Sequence, residues 1–211
     1  MIVLSLINEM IFLTLQIELT IMAARVLMPQ KTGGYAMVDD TLRKTLALPS
    51  VDQLGFVVRS VADTMNYYEK SFGLGPWIIY EGQPEFTIES GRRVDATLKI
   101  AMAYSGRVQL ELIEVVKGRS FYNDFLEKGE GLHHLGFMVN DLEKRLQRCR
   151  ELGIEVIQRG QIKDRGVRVD YAYLDTVNPG GVVFEFIQSR LGPIPVKMSA
   201  LMHKIVFKLG L

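Results

Sequence analysis

Two stretches of this chain alternate apolar and polar positions in the same way. "QLGFVVRSVADTMNYYEKSFGLG" (53–75) lies over "HLGFMVNDLEKRLQRCRELGIE" (134–155). Each opens with a period of two, which predicts a strand buried on one face. Each then shifts to helical spacing: Met65, Tyr68 and Phe72 form one apolar stripe, and Leu142, Leu146 and Cys149 form the other. Ser60 with Asp63, and Asn140 with Glu143, have capping-box spacing at the helix starts. Gly73 and Gly153 supply the left-handed stop after each helix.

The copies also end alike. "GRVQLELIE" (106–114) lies over "GGVVFEFIQ" (180–188). Between helix and last strand each copy has room for two more strands, at about 76–81 and 94–104 in the first and about 154–158 and 167–174 in the second. The pattern is βαβββ twice, an α+β chain with modules at about 50–117 and 130–190. A short helix in "SFYNDFLEKG" joins them.

Strand parity assigns the polar positions. Gln53, Gly55 and Val57 share a face, as do His134, Gly136 and Met138. In the closing strands Gln109, Glu111 and Ile113 share a face, and so do Val183, Glu185 and Ile187. Pairing the modules about a pseudo-twofold axis brings Gln53, Glu111, His134 and Glu185 to one cavity. His133, one residue out of phase, then points to the opposite face. A carboxylate in a run as apolar as "GGVVFEFI" must be paired, hydrogen-bonded or metal-bound. Two carboxylates, one imidazole and one amide oxygen make a donor set for a single divalent ion: Zn, Mn, Co, Ni or Mg. Gln109, on the face of Glu111, could support a ligand.

Composition narrows the function classes. Of 211 residues 48% are hydrophobic and 23% charged, with a net charge of +1, the profile of a soluble globular protein. That balance argues against a nucleic-acid binder or a polybasic membrane surface. The single cysteine, Cys149, excludes a disulfide framework and points to a reducing, cytoplasmic setting; on its helical stripe it reads as a small buried hydrophobe. Residues 1–49 are apolar at first, but Glu9 and Glu18 break any run long enough to span a membrane, and no basic region precedes them. They read as an N-terminal extension: an arm, an interface helix, or residues ahead of an alternative start at Met22. Residues 191–211 read as a C-terminal tail that packs on a partner chain or covers the cavity.

The stretches "DQLGFVVRSV", "VQLELIEVV", "GEGLHHLGFMVNDL" and "GGVVFEFI" resemble the vicinal oxygen chelate superfamily. That group contains glyoxalase I, methylmalonyl-CoA epimerase, extradiol dioxygenases and bleomycin- and fosfomycin-resistance proteins. The resemblance covers about residues 50–190 and implies a glyoxalase-like open barrel. The family's metal ligands map onto Gln53, Glu111, His134 and Glu185. Their order resembles eukaryotic glyoxalase I, whereas methylmalonyl-CoA epimerases typically carry histidine at the position of Gln53. The resemblance implies a metal-dependent isomerase, epimerase or lyase acting on a small carbonyl or thioester substrate through a metal-stabilised enolate or enediolate, with Glu111 or Glu185 as the base. Alternatives are a non-catalytic binding protein of the resistance type and an extradiol dioxygenase. It also implies a homodimer. Trp77, Tyr80, Tyr104, Tyr171 and Tyr173 are candidates to line the cavity, and Arg168 could meet an anionic group of the substrate.

Overall fold

The computed structural model describes residues 46–164 and 166–210; the N-terminal extension expected at 1–49 lies, up to residue 45, outside the described residues. The first module contains β1 (Gln53–Val57), α1 (Val61–Phe72), β2 (Ile78–Gly82), β3 (Phe86–Glu89), β4 (Arg92–Arg93), β5 (Ala96–Ser105) and β6 (Val108–Gly118). The linking helix is α2 (Phe121–Leu126). The second module contains β7 (Gly131–Met138), α3 (Leu142–Glu151), β8 (Val156–Asp164), β9 (Val167–Leu174), the one-turn α4 (Val177–Gly180) and β10 (Val183–Leu191). β11 (Ile194–Pro195) and α5 (Ala200–Leu209) form the tail.

The strands make one curled sheet in the order β2-β5-β6-β1-β7-β10-β9-β8-β3-β4, with β11 on β10. Each module contributes the same four-strand order, and β1 pairs with β7 antiparallel at the centre. The expected repeat is therefore the architecture: a mixed α+β half-barrel of two βαβββ modules.

Alternation along the strands divides the core in two. The inner face carries Val57, Leu98, Ile100, Ile113, Tyr171, Tyr173 and Val183. The outer face is covered by α1, whose Val61 packs with Val58, Ala101 and Leu112, and by α3, whose Leu142, Leu146 and Cys149 pack with Phe137 and Phe186. Full burial of a side chain such as Leu146 contributes about 1.5–3 kcal/mol. Among the described residues no helix is long and apolar enough to cross a membrane.

Three local details depart from the sequence reading. Phe72, placed on the buried stripe of α1, is 71% exposed because α1 already ends there at Gly73. The capping box at Asn140 does not form; Asp141 is the N-cap without a side-chain bond, and Gln188 Oε1 accepts the Leu142 N–H at 3.0 Å instead. The third is an added hairpin. β3 and β4 leave the first module after β2 and pair with β8 of the second, Glu89 opposite Gln158. Ser90 and Gly91, both at positive φ, form its tight turn. The hairpin ties the two far edges of the curl together.

Candidate metal centre

The centre grows out of the β1–β7 seam. Gln53 stands opposite Gly136, and Gly55 stands opposite His134. Each polar side chain lies over the other module's glycine. A Cβ on Gly55 would come within 1.8 Å of the His134 ring, and one on Gly136 within 2.8 Å of Gln53 Oε1. The repeated glycines are thus a condition of close approach. β6 runs parallel to β1 with Glu111 beside Gly55, and β10 runs parallel to β7 with Glu185 beside Gly136. Four polar side chains at equivalent positions therefore surround one pseudo-twofold axis.

His134 Nε2 lies 3.3 Å from Glu111 Oε2 and 3.2 Å from Glu185 Oε2, and the three side chains are 0%, 12% and 5% exposed. One ligand atom from each falls within 4.8 Å of the others. Gln53 Nε2 donates to Gln109 Oε1 at 2.8 Å, which leaves Gln53 Oε1 without a partner. His134 Nε2 and Glu185 Oε2 are buried with no neutral hydrogen-bond partner, only the ion-pair contact between them and with Glu111. Buried polar atoms without partners are rare and costly. These three are Lewis bases on neighbouring side chains, so the residues present fit a divalent cation.

The electrostatics agree. Burial disfavours a charge on His134, but Glu185 and Glu111 beside it outweigh that and push its pKa up to about 9. Burial raises the pKa of Glu185, against the opposing pull of His134. A proton on His134 is what the cluster holds when no cation balances its carboxylates.

His133 does not face away as parity predicted. Gly55 pairs with His134 but Phe56 pairs with Leu132, so His133 is the extra residue of a β-bulge. The bulge re-aims its ring toward the partner histidine, with the two Nδ1 atoms 3.1 Å apart. The ring is enclosed by Phe121, Tyr122 and Phe125 of α2. Burial, with the charge of His134, lowers the pKa of His133 to about 3 and keeps it neutral. One Nδ1 must donate and the other accept, so His133 orients His134 while Nε2 points into the cluster.

The remaining expected site residues divide. Tyr171 is buried on the inner face, its hydroxyl 3.3 Å from Thr87 Oγ1. Tyr80 borders the same inner cluster and donates to Gln83 O. Tyr104 stands behind the Gln53–Gln109 pair; it accepts from Gln109 Nε2 at 3.4 Å and donates to Met198 O at 2.6 Å. Trp77 precedes β2, packs in the cluster under α1, and donates to Leu74 O. Arg168 pairs its guanidinium with Asp170 at 2.9 Å. Sequence reasoning missed Tyr122, which is 2% exposed and donates to Tyr173 at 2.9 Å. The Tyr173 ring in turn lies 5.1 Å from the His134 ring. Two aromatics directly after the link-helix cap, "SFY", were its only signal.

A sequence model of the Glyoxalase/Bleomycin resistance protein/Dioxygenase superfamily matches residues 52–173. The Bacillus subtilis (strain 168) protein YqjC, whose name describes it as uncharacterized, is 33% identical over 110 residues, 52% of this chain and 71% of its own. The fold is similar to that of methylmalonyl-CoA epimerase from Mycobacterium tuberculosis, with a TM-score of 0.50 at 19% identity over 66% of this chain and 87% of that one. It is also similar to the Streptomyces coelicolor methylmalonyl-CoA epimerase, with a TM-score of 0.50 at 20% identity over 66% of this chain and 96% of that one.

Proposed function

From the premise that the chain belongs to the Glyoxalase/Bleomycin resistance protein/Dioxygenase superfamily, we propose that it is a metal-dependent enzyme that moves a proton on the carbon beside a carbonyl. The reaction class is isomerase or epimerase, or a lyase that eliminates after the same deprotonation. The observation that carries this is the convergence of buried ligand atoms: Gln53 Oε1 without a partner, and His134 Nε2 with only the Glu185 and Glu111 carboxylates beside it. Those four side chains would hold one ion of Zn, Mn, Co, Ni or Mg. When bound, it supplies Lewis-acid stabilisation of the charge that develops on a substrate carbonyl oxygen.

The chain's own groups do the rest. Glu185 is the preferred base: it is the more buried of the two carboxylates, and a ligand carboxylate that loosens from the ion can carry the proton. Glu111, more exposed, is its counterpart across the axis, suited to reprotonation from the other face in an epimerase. Gln109 holds the Gln53 amide with its oxygen free. Tyr122, Tyr173 and the α2 aromatics keep water from the His134 side. The set has one imidazole aimed into it, whereas extradiol chemistry uses two histidines and a carboxylate.

The substrate is a small carbonyl compound or thioester, and the reading carries with it a homodimer and a cytoplasmic setting. Methylmalonyl-CoA, named in the two epimerases of similar fold, is one candidate; a glutathione hemithioacetal is another. The test is metal analysis of the purified chain, with about one ion per chain expected and lost in Glu185→Ala. Solvent deuterium exchange into methylmalonyl-CoA, and turnover of methylglyoxal with glutathione, then separate the two candidates. A protein that takes up none of the five ions, and is equally stable with and without Glu185, is a binding module and not this enzyme.

A further inference from the structure

The unpartnered buried atom that marks the metal centre recurs elsewhere. Among the described residues, such atoms are Gln53 Oε1, His134 Nε2, Glu185 Oε2, Arg190 Nε and Gln158 Oε1. The first three belong to the centre, and Arg190 is only partly buried as a residue. Gln158, on β8, is 2% exposed and plays no part in the proposed chemistry.

Its orientation is fixed. Gln158 Nε2 donates to Glu89 Oε1 at 2.6 Å across the β3–β8 pairing. Glu89 is held in turn by the Phe121 N–H at 3.1 Å. Turning the amide over would set oxygen against carboxylate oxygen, so Oε1 stays the free end. Gln158 borders a small inner pocket that it shares with Thr87, Ala96, Ser120, Tyr122 and Tyr171. The pocket has room for little more than one water-sized group. Thr87 and Tyr171 are engaged with each other, and Ser120 Oγ accepts from the Tyr122 N–H. The acceptor in want of a donor is Gln158. No lining residue is charged, which favours a neutral group over an ammonium.

We propose that this pocket is a polar subsite that receives a neutral hydroxyl or amide N–H of a small ligand, with Gln158 Oε1 as the acceptor. The pocket shares a wall with the metal centre: Tyr122 bonds to Tyr173, Tyr171 lies 5.7 Å from Tyr173, and Tyr173 lies 5.1 Å from His134. One extension rests on the metal-dependent reading: the substrate then carries a hydroxyl or amide N–H apart from its reacting carbonyl.

The test follows the side-chain amide resonances of Gln158 in the ¹⁵N-labelled full chain during titration with formamide, methanol and acetonitrile. Formamide and methanol carry donors, and acetonitrile carries none. Saturable shifts with the two donors, at least about tenfold weaker with acetonitrile, are expected. Ala96→Leu, which fills the pocket without touching a polar group, should abolish the response; where leucine unfolds the chain, Ala96→Val makes the same comparison. Equal response to acetonitrile, an unchanged response in the filled variant, or no response to any probe, as for a permanently held water, overturns the proposal. A response retained in Glu185→Gln supports the subsite whether or not a metal binds, so this proposal and the metal reading fail separately.

Discussion

The two modules place the same backbone positions around the centre and fill them with different chemistry. At the first module's pole the ligand candidate is a neutral amide, Gln53, braced by Gln109 and then Tyr104. At the second it is an imidazole, His134, braced by His133 inside an aromatic box. The bracing residues do not correspond: the counterpart of Gln109 is Val183, and the counterpart of His133 is Asp52, which accepts from the Met138 N–H and pairs with Lys197. The coverings do correspond. The helix that trails the first module, α2, closes over His133, while the tail that trails the second passes Asp52 and Tyr104 and docks His203 on Pro76. The difference teaches that a repeat preserves where the ligands stand, and that what holds each one in place is settled locally.

The largest effect should come from His134→Ala, which removes the imidazole pole outright. Metal affinity measured by chelator competition should fall by about a thousandfold or more, roughly 4 kcal/mol. Gly55→Ala should do nearly as much, because its Cβ would collide with a packed ring. Gly136→Ala meets the Gln53 side chain at 2.8–2.9 Å, a milder clash than the 1.8 Å at Gly55, and should cost about tenfold; equal losses at the two glycines would erase the asymmetry argued above.

His133→Phe keeps the aromatic box but removes the Nδ1 contact. It should cost about 10–100-fold in metal affinity, and an unchanged affinity would show that His134 needs no orienting partner. Acidity should act on this pole too. His134 binds a proton in the metal-free site, with its pKa raised to about 9, and a metal must displace that proton. Affinity should therefore rise by up to about tenfold per pH unit between pH 7 and 9 and level off above; a flat profile across that window would mean His134 is not a ligand. The smallest effect is expected at the amide pole. Gln109→Leu frees the Gln53 amide to turn, for a loss of about three- to tenfold in affinity with little change in its pH dependence.

Much of this was legible in the sequence. The repeat gave the modules, and period-two parity gave Gln53, Glu111, His134 and Glu185 a common face, because a sheet with one buried face cannot slip register by a single residue without exposing its core. Parity failed where the strand was irregular. The bulge at His133 adds one residue to β7 and leaves no compositional trace. Trp77 lies before β2 begins, so strand parity had no hold on it. The β3–β4 hairpin is short, and its partner is β8, distant in sequence; such pairings are set by tertiary contacts.

The glycine notches have a further consequence. Each module stores its ligand in a space carved from the other, so neither half can assemble the site alone. Two identical chains meeting at such a seam would be bound by their symmetry to present the same residue at both poles. Joining the halves in one polypeptide removes that constraint while holding them at high effective concentration. Glutamine at one end and histidine at the other is a combination that no pair of identical single modules could display.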